Sequence, residues 1–189
     1  MELKDEQKIN APRDVVYAAL NDPDVLKQCI PGCETLEKTS DTDMTATVTL
    51  KVGPVKAKFK GAVELSNLNP PSSYTITGEG KGGPAGFAKG SADVNLIGDG
   101  TGTILQYDVH ADVGGKLAQL GGRLIDSTSK KLAGQFFEKF GAIVEAEGEG
   151  ATPQAQAIDD GDKTRTGTSK LWIYVAVAAI TAIVIYILV

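Results

Sequence analysis

At 189 residues, 42% of them hydrophobic and 23% charged, the chain is long enough for one domain with a sizeable core and an appendage. A formal net charge of −5 argues against nucleic acid as the main partner, because phosphate binding needs a basic footprint. Two cysteines and one histidine cannot complete a four-ligand zinc site with the usual Cys/His donors.

Residues 2–9 alternate so that Leu3, Asp5, Gln7 and Ile9 share a face, which predicts a first strand. Pro12 sits where a first helical turn tolerates proline, and Val15, Val16, Ala19 and Leu20 predict a short helix behind it. Asn21-Asp22-Pro23 is a second start signal, with Asp22 as cap, and Pro31-Gly32 stops that helix early. Strands follow over 44–52 and 55–65, joined by Gly53-Pro54, then over 74–78, 88–97 and 103–113. Gly98–Gly102 is expected to close the last pair as a hairpin loop. Leu117, Leu120, Leu124, Thr128, Leu132, Phe136, Phe140 and Ile143 fall three and four apart, which predicts one long helix over 116–147. A strand, two short helices, an antiparallel meander and a long last helix make an α+β helix-grip order of the START-like kind. In it the sheet wraps the helix and leaves a cavity.

Residues 148–170 are Gly, Ala, Thr, Gln and Asp with almost nothing to bury, and read as a flexible linker with a reach of about 25–30 Å. Residues 171–189 carry no charge and would make about 28 Å of helix, close to the hydrocarbon thickness of a bilayer. Trp172, Tyr174 and Tyr186 stand at its ends as interfacial aromatics do, and Lys163, Arg165 and Lys170 precede it. The expectation is a single-pass tail anchor in the cell membrane. The folded domain, 1–147, would lie on the cytoplasmic side, where the thiols stay reduced. Residues 1–10 lack the apolar run of a signal peptide.

The glycine-rich run 78–90 lacks the strand-to-helix context and Gly-Lys-Ser/Thr ending of a phosphate loop, so it is expected to be a mobile hairpin tip. Phe87 at that tip is expected either to lid the cavity or to join the core. His110 shares a strand face with Gln106, Asp108 and Asp112, which points it to solvent, away from any base role in a pocket. Cys29 and Cys33 lack redox spacing and read as structural. Lys51, Lys56, Lys58 and Lys60 share an outward face that is either a solvated strand or a contact for anionic lipid or an acidic protein. The inward parity carries no set of carboxylates or amines, with Asp5 and the amide of Gln7 its only possible polar exceptions, so the cavity is expected to hold an apolar molecule and not to act as an enzyme.

The runs IPGCETLE (30–37), VGPVKAKFKG (52–61), GEGKGGPAGFAKGSADVNL (78–96) and VGGKLAQLGGRLID (113–126) resemble the CoxG family, the G-type subunits of carbon monoxide dehydrogenase, over about residues 2–147. The resemblance implies a START-like accessory subunit that recruits a molybdenum hydroxylase of the carbon monoxide dehydrogenase type to the cytoplasmic membrane. It also implies a respiratory quinone as cargo for electron transfer, with no covalently bound cofactor and no metal. The family supplies no catalytic residues. Parity and the motif runs nominate Phe59, Tyr74, Phe87, Tyr107, Leu117, Leu120 and Leu124 as hydrophobic-ligand residues. The other readings are a passive anchor whose cavity is packed shut and, more remotely, an enzyme of the aromatase/cyclase or hydratase kind with Asp5 as its acid or base.

Overall fold

The computed structural model describes residues 2–149. Strand β1 (Glu2–Ile9) leads into helix α1 (Arg13–Ala19), which starts behind Pro12, and helix α2 (Pro23–Cys29). Asp22 caps α2 as expected: its carboxylate accepts from the backbone N–H of Asp24 at 2.8 Å and of Val25 at 3.3 Å. Strands β2 (Cys33–Lys38), β3 (Asp43–Val52), β4 (Val55–Asn69), β5 (Ser73–Lys81), β6 (Phe87–Asp99) and β7 (Gly102–Gly114) follow, then helix α3 (Gly122–Glu149). The seven strands form one antiparallel sheet in the order β1-β7-β6-β5-β4-β3-β2. The meander is consecutive, and β1 crosses to pair with β7, so the first and last strands share an edge.

The core lies between the inner face of the sheet and the three helices. Met44, Val48, Phe59, Val63, Leu65, Ile76 and Val109 face it from the strands, and Phe136, Phe140 and Val144 close it from α3. The helix α3 comes closest to α1, α2, β1 and β3, and not to the middle of the sheet. It bridges the concave surface from edge to edge.

Three features differ from the sequence expectation. Strand β2 was not expected, because only Leu36 of its six residues is buried and a bulge between Cys33 and Thr35 interrupts the alternation. The glycine-rich run is mostly sheet: Gly78 pairs with Gly90 and Gly80 with Ala88, and only residues 82–86 turn the chain. The long helix does not run from 116. Gly121 has φ +83° and ends a single 3₁₀ turn (Ala118–Leu120), so α3 begins at Gly122. A helical stripe in the sequence does not register a backbone break when the residues on both sides of it keep the same spacing.

Among the described residues no helix is long and apolar enough to cross a membrane. The helix α3 is described to Glu149, past the boundary expected at 147. The rest of the expected linker and the expected membrane span, 171–189, lie outside the described residues.

Candidate functional site

The inner face of the sheet has an unusual floor. Ala46, Gly61, Gly80 and Ala88 stand opposite one another across β3 to β6, and the next row carries Gly78, Gly90 and Ala111 on β5 to β7. Side chains on one face of a strand repeat every second residue, so register stacks these small residues into one patch. A Cβ built on Gly61 would find no side chain within 4 Å; its nearest neighbour is the Glu79 carbonyl oxygen at 3.4 Å. Space is therefore open above the floor at Gly61.

Inward-facing Val55, Ala57, Gly61, Gly78, Gly90 and Val113 are only part-buried, although their strand neighbours Phe59, Val63 and Ile76 are fully enclosed. Across from them, Leu120, Leu124 and Thr128 are also part-buried, while Leu132, Phe136 and Phe140 further along α3 are buried. Together these give an apolar cleft between the sheet and the first half of the helix. Its end is built from three turns. The β3–β4 turn reaches α3, since a Cβ on Gly53 would stand 2.8 Å from Leu124 Cδ2. The 82–86 turn lies on Phe59, whose ring leaves no room for a side chain at Gly82. The backbone N–H of Leu117 donates to the Ala85 carbonyl at 3.0 Å, which ties the same turn to the segment before α3.

The nominated residues divide. Phe59, Leu117, Leu120 and Leu124 come together at this end of the fold, with Phe59 and Leu117 buried beneath it and the other two at its wall. Tyr74 and Tyr107 face inward but lie in rows nearer the other end of the strands. Tyr74 meets Tyr17 of α1 edge-on at 5.7 Å, and Tyr107 stacks on Phe137 at 5.5 Å. Burial pushes both phenols upward, and Asp5 beside Tyr107 adds to the rise there, so both remain neutral donors. Phe87 lies elsewhere. It pairs with Lys81, which puts it on the outward face, where its ring rests over Gly114 and is 45% exposed. That register places it outside the cleft. The small-residue floor itself was not nominated; its signal was the shared parity of Gly61, Gly78, Gly80 and Gly90, which means little until strand pairing aligns them.

Buried polar groups are few. The Thr103 hydroxyl donates to the Ala11 carbonyl at 2.8 Å and the Ser129 hydroxyl to the Ile125 carbonyl at 3.0 Å. Tyr17 Oη and Asn21 Oδ1 on the α1 side have no protein partner among the described residues. Among the described residues no group of three His, Cys, Asp or Glu stands close enough together to hold a metal. His110 is outward and exposed, 3.4 Å from Glu2 and 3.6 Å from Asp108. Two open depressions of about 430 and 610 Å³ lie on the convex side; Asp93, Gln106 and Asp108 make the first polar, while the second, bordered by Thr39, Glu64 and Glu79, is the more apolar, with Met44, Ala62 and Val63 in its lining. The first lining suits water better than an apolar molecule.

Cys29 is buried and Cys33 half-buried, and neither is bonded to the other. Burial raises the Cys29 thiol from 9.0 to about 11 and moves Cys33 upward too. The unfolded thiol ionises first as pH rises, so stability from Cys29 is intact below pH 9.0 and is lost as pH climbs through about 11. Alkylation of Cys29 in the native protein at pH 8 is expected to be slower than in the denatured chain by roughly a hundredfold or more, with Cys33 reacting first. Mass spectrometry of the modified peptides measures the order; rapid native labelling of Cys29 would contradict its place in the core.

The sequence profile of the carbon monoxide dehydrogenase G-type subunit, CoxG, matches residues 6–145. The chain belongs to the CoxG family. No curated protein sequence matches it. Among solved structures, a conserved protein from Geobacillus kaustophilus is 28% identical with a TM-score of 0.74, covering 78% of this chain and 97% of its own. TTHA0849 from Thermus thermophilus is 17% identical with a TM-score of 0.60, covering 78% and 99%. The Zhui aromatase/cyclase from Streptomyces sp. R1128 is 13% identical with a TM-score of 0.54, covering 78% and 94%. These neighbours place the CoxG domain in the START-like helix-grip fold. Solved chains of this extent match almost end to end.

Proposed function

We propose that this CoxG protein holds an apolar molecule of the quinone or isoprenoid-lipid class in the cleft between the sheet and the first half of α3. It would do so as a membrane-tethered accessory subunit of a molybdenum hydroxylase of the carbon monoxide dehydrogenase type. The observation that carries this reading is the open space above Gly61, bounded by alanine, glycine, valine and leucine. A floor of glycines has a stability cost in a sheet, roughly 1 kcal/mol per residue, and open space above it is a use for that cost. No titratable set faces the cleft, which favours binding and transfer over catalysis. The family name supports the hydroxylase partner. The apolar run 171–189 supports a tail anchor with the domain on the cytoplasmic side, close enough to the bilayer to exchange cargo. Electron transfer follows from the chemistry of a quinone cargo, which carries two electrons and two protons; the chain supplies the enclosure.

Solvent extraction of the purified 1–149 domain, followed by mass spectrometry, is expected to release an isoprenoid quinone or lipid in near-stoichiometric amount. Titration of the stripped domain with a quinone analogue should give saturable heat. An empty domain that binds neither quinone nor lipid would overturn the reading.

A further inference from the structure

The convex face of the sheet is electrically polarised along the strands. At the end holding the β3–β4 and 82–86 turns, Lys51 stands directly opposite Lys56, and Lys60 directly opposite Lys81. Like charges facing each other across a ladder destabilise it. Lys81 is compensated by Glu79 at 2.8 Å and Lys58 by Glu34 at 2.7 Å, but Lys51, Lys56 and Lys60 make no ion pair among the described residues. Phe87 continues the Lys60–Lys81 row and is one of three large apolar side chains exposed among the described residues. Toward the other end the same face turns acidic: Glu64, Asp93 and Glu6 make no ion pair among the described residues, while Asp108 is paired with Lys4 at 2.9 Å. The protein as a whole is negative, so this basic end is a local inversion.

We propose that this basic end, with Phe87 at its margin, is a docking surface for an anionic bilayer. Unpaired lysines on the convex sheet face attract lipid phosphates, and an aromatic ring beside them sits at headgroup depth. The acidic end is repelled by the same surface, so the two ends together set the tilt of the domain. That tilt brings down the end where the cleft is bounded by Gly53, Leu120 and Leu124. Docking does not depend on what the cleft carries; it adds an orientation to the proposed cargo exchange, and cargo occupancy is measured separately by extraction.

The 1–149 domain contains no tryptophan, since the single one is Trp172. A Phe87→Trp variant therefore reports on the docking surface, and Ile97→Trp, 46% exposed near the opposite end of β6, serves as the control. With vesicles of 30% phosphatidylglycerol in phosphatidylcholine, Phe87→Trp emission is expected to shift blue and Ile97→Trp emission to stay unchanged. Pure phosphatidylcholine, or half-molar salt, should abolish the shift. The triple variant Lys51→Gln/Lys56→Gln/Lys60→Gln should weaken vesicle binding on the order of a hundredfold, as each cation near such a surface is worth roughly fivefold. The corresponding glutamates should weaken it further. Lys130→Glu/Lys131→Glu, exposed on α3, should bind as the parent does. A blue shift in the Ile97→Trp variant in place of the Phe87→Trp variant, equal binding to neutral vesicles, no binding at all, or a glutamine triple variant that folds and binds unchanged would each overturn the proposal. In the no-binding case, an acidic protein partner becomes the occupant to test.

Discussion

Phe136→Ala is expected to cost the 1–149 domain about 3–5 kcal/mol, and Leu124→Ala about 1 kcal/mol or less. Both residues belong to the apolar stripe read from the sequence, and nothing in that stripe separates them. The structure does. Phe136 is completely enclosed, stacked on Phe140 at 5.5 Å and set edge-on to Phe137 at 5.1 Å, so its removal leaves a void that rigid neighbours cannot fill. Leu124 is part-exposed at the cleft wall beside Gly53, where truncation only widens existing space. Urea unfolding of the two variants measures the difference. Equal large losses would mean that the first half of α3 is core and the cleft is closed.

Gly61→Leu is expected to leave stability unchanged or raise it by about 1 kcal/mol while abolishing cargo binding. The new side chain enters the open space above the floor, where its Cβ meets nothing nearer than a carbonyl oxygen at 3.4 Å. If the interior were instead packed shut, the same change would overfill it and cost about 1–3 kcal/mol. Denaturant midpoint and quinone titration on one sample separate these outcomes. A stable Gly61→Leu protein that still recruits its partner to membranes but no longer supports electron transfer assigns the cleft a working role. Full activity in that variant leaves only the passive anchor.

Gly90 offers a contrast that guards against treating every floor glycine alike. A side chain there would strike the His110 carbonyl and Ala111, so Gly90→Leu disrupts the sheet and says nothing about the cleft. The difference between Gly61 and Gly90 is one of neighbour placement, which sequence parity does not report.

Local signals were enough for much of the fold. The Asp22-Pro23 start, the Pro31-Gly32 stop and the alternation of β3 and β4 depend on interactions within a few residues, so composition and spacing declare them. The outward placement of His110 and of Lys51, Lys56, Lys58 and Lys60 also followed from parity alone. Strand β2 escaped because its pairing with β3 replaces the hydrophobic alternation that a sequence can show. The break at Gly121 escaped because glycine is tolerated in a helix and becomes a stop only when the chain needs a positive φ.

By itself, the sequence determined the order of the elements other than β2, the apolar character of the inner face and the family. Each is carried by residue type and short-range period, which do not change on folding. Tertiary structure alone decided where the inner face is filled and where it is open. Pairing register stacked glycines from neighbouring strands into one floor and set Phe87 outward beside the lysines, while a backbone break shortened the long helix to Gly122. The helix expected as the organiser of the core is therefore divided: its second half is buried against α1, α2 and the sheet edge, and its first half walls the cleft. Side-chain identity fixes what a surface is made of, and only long-range register fixes which surfaces meet.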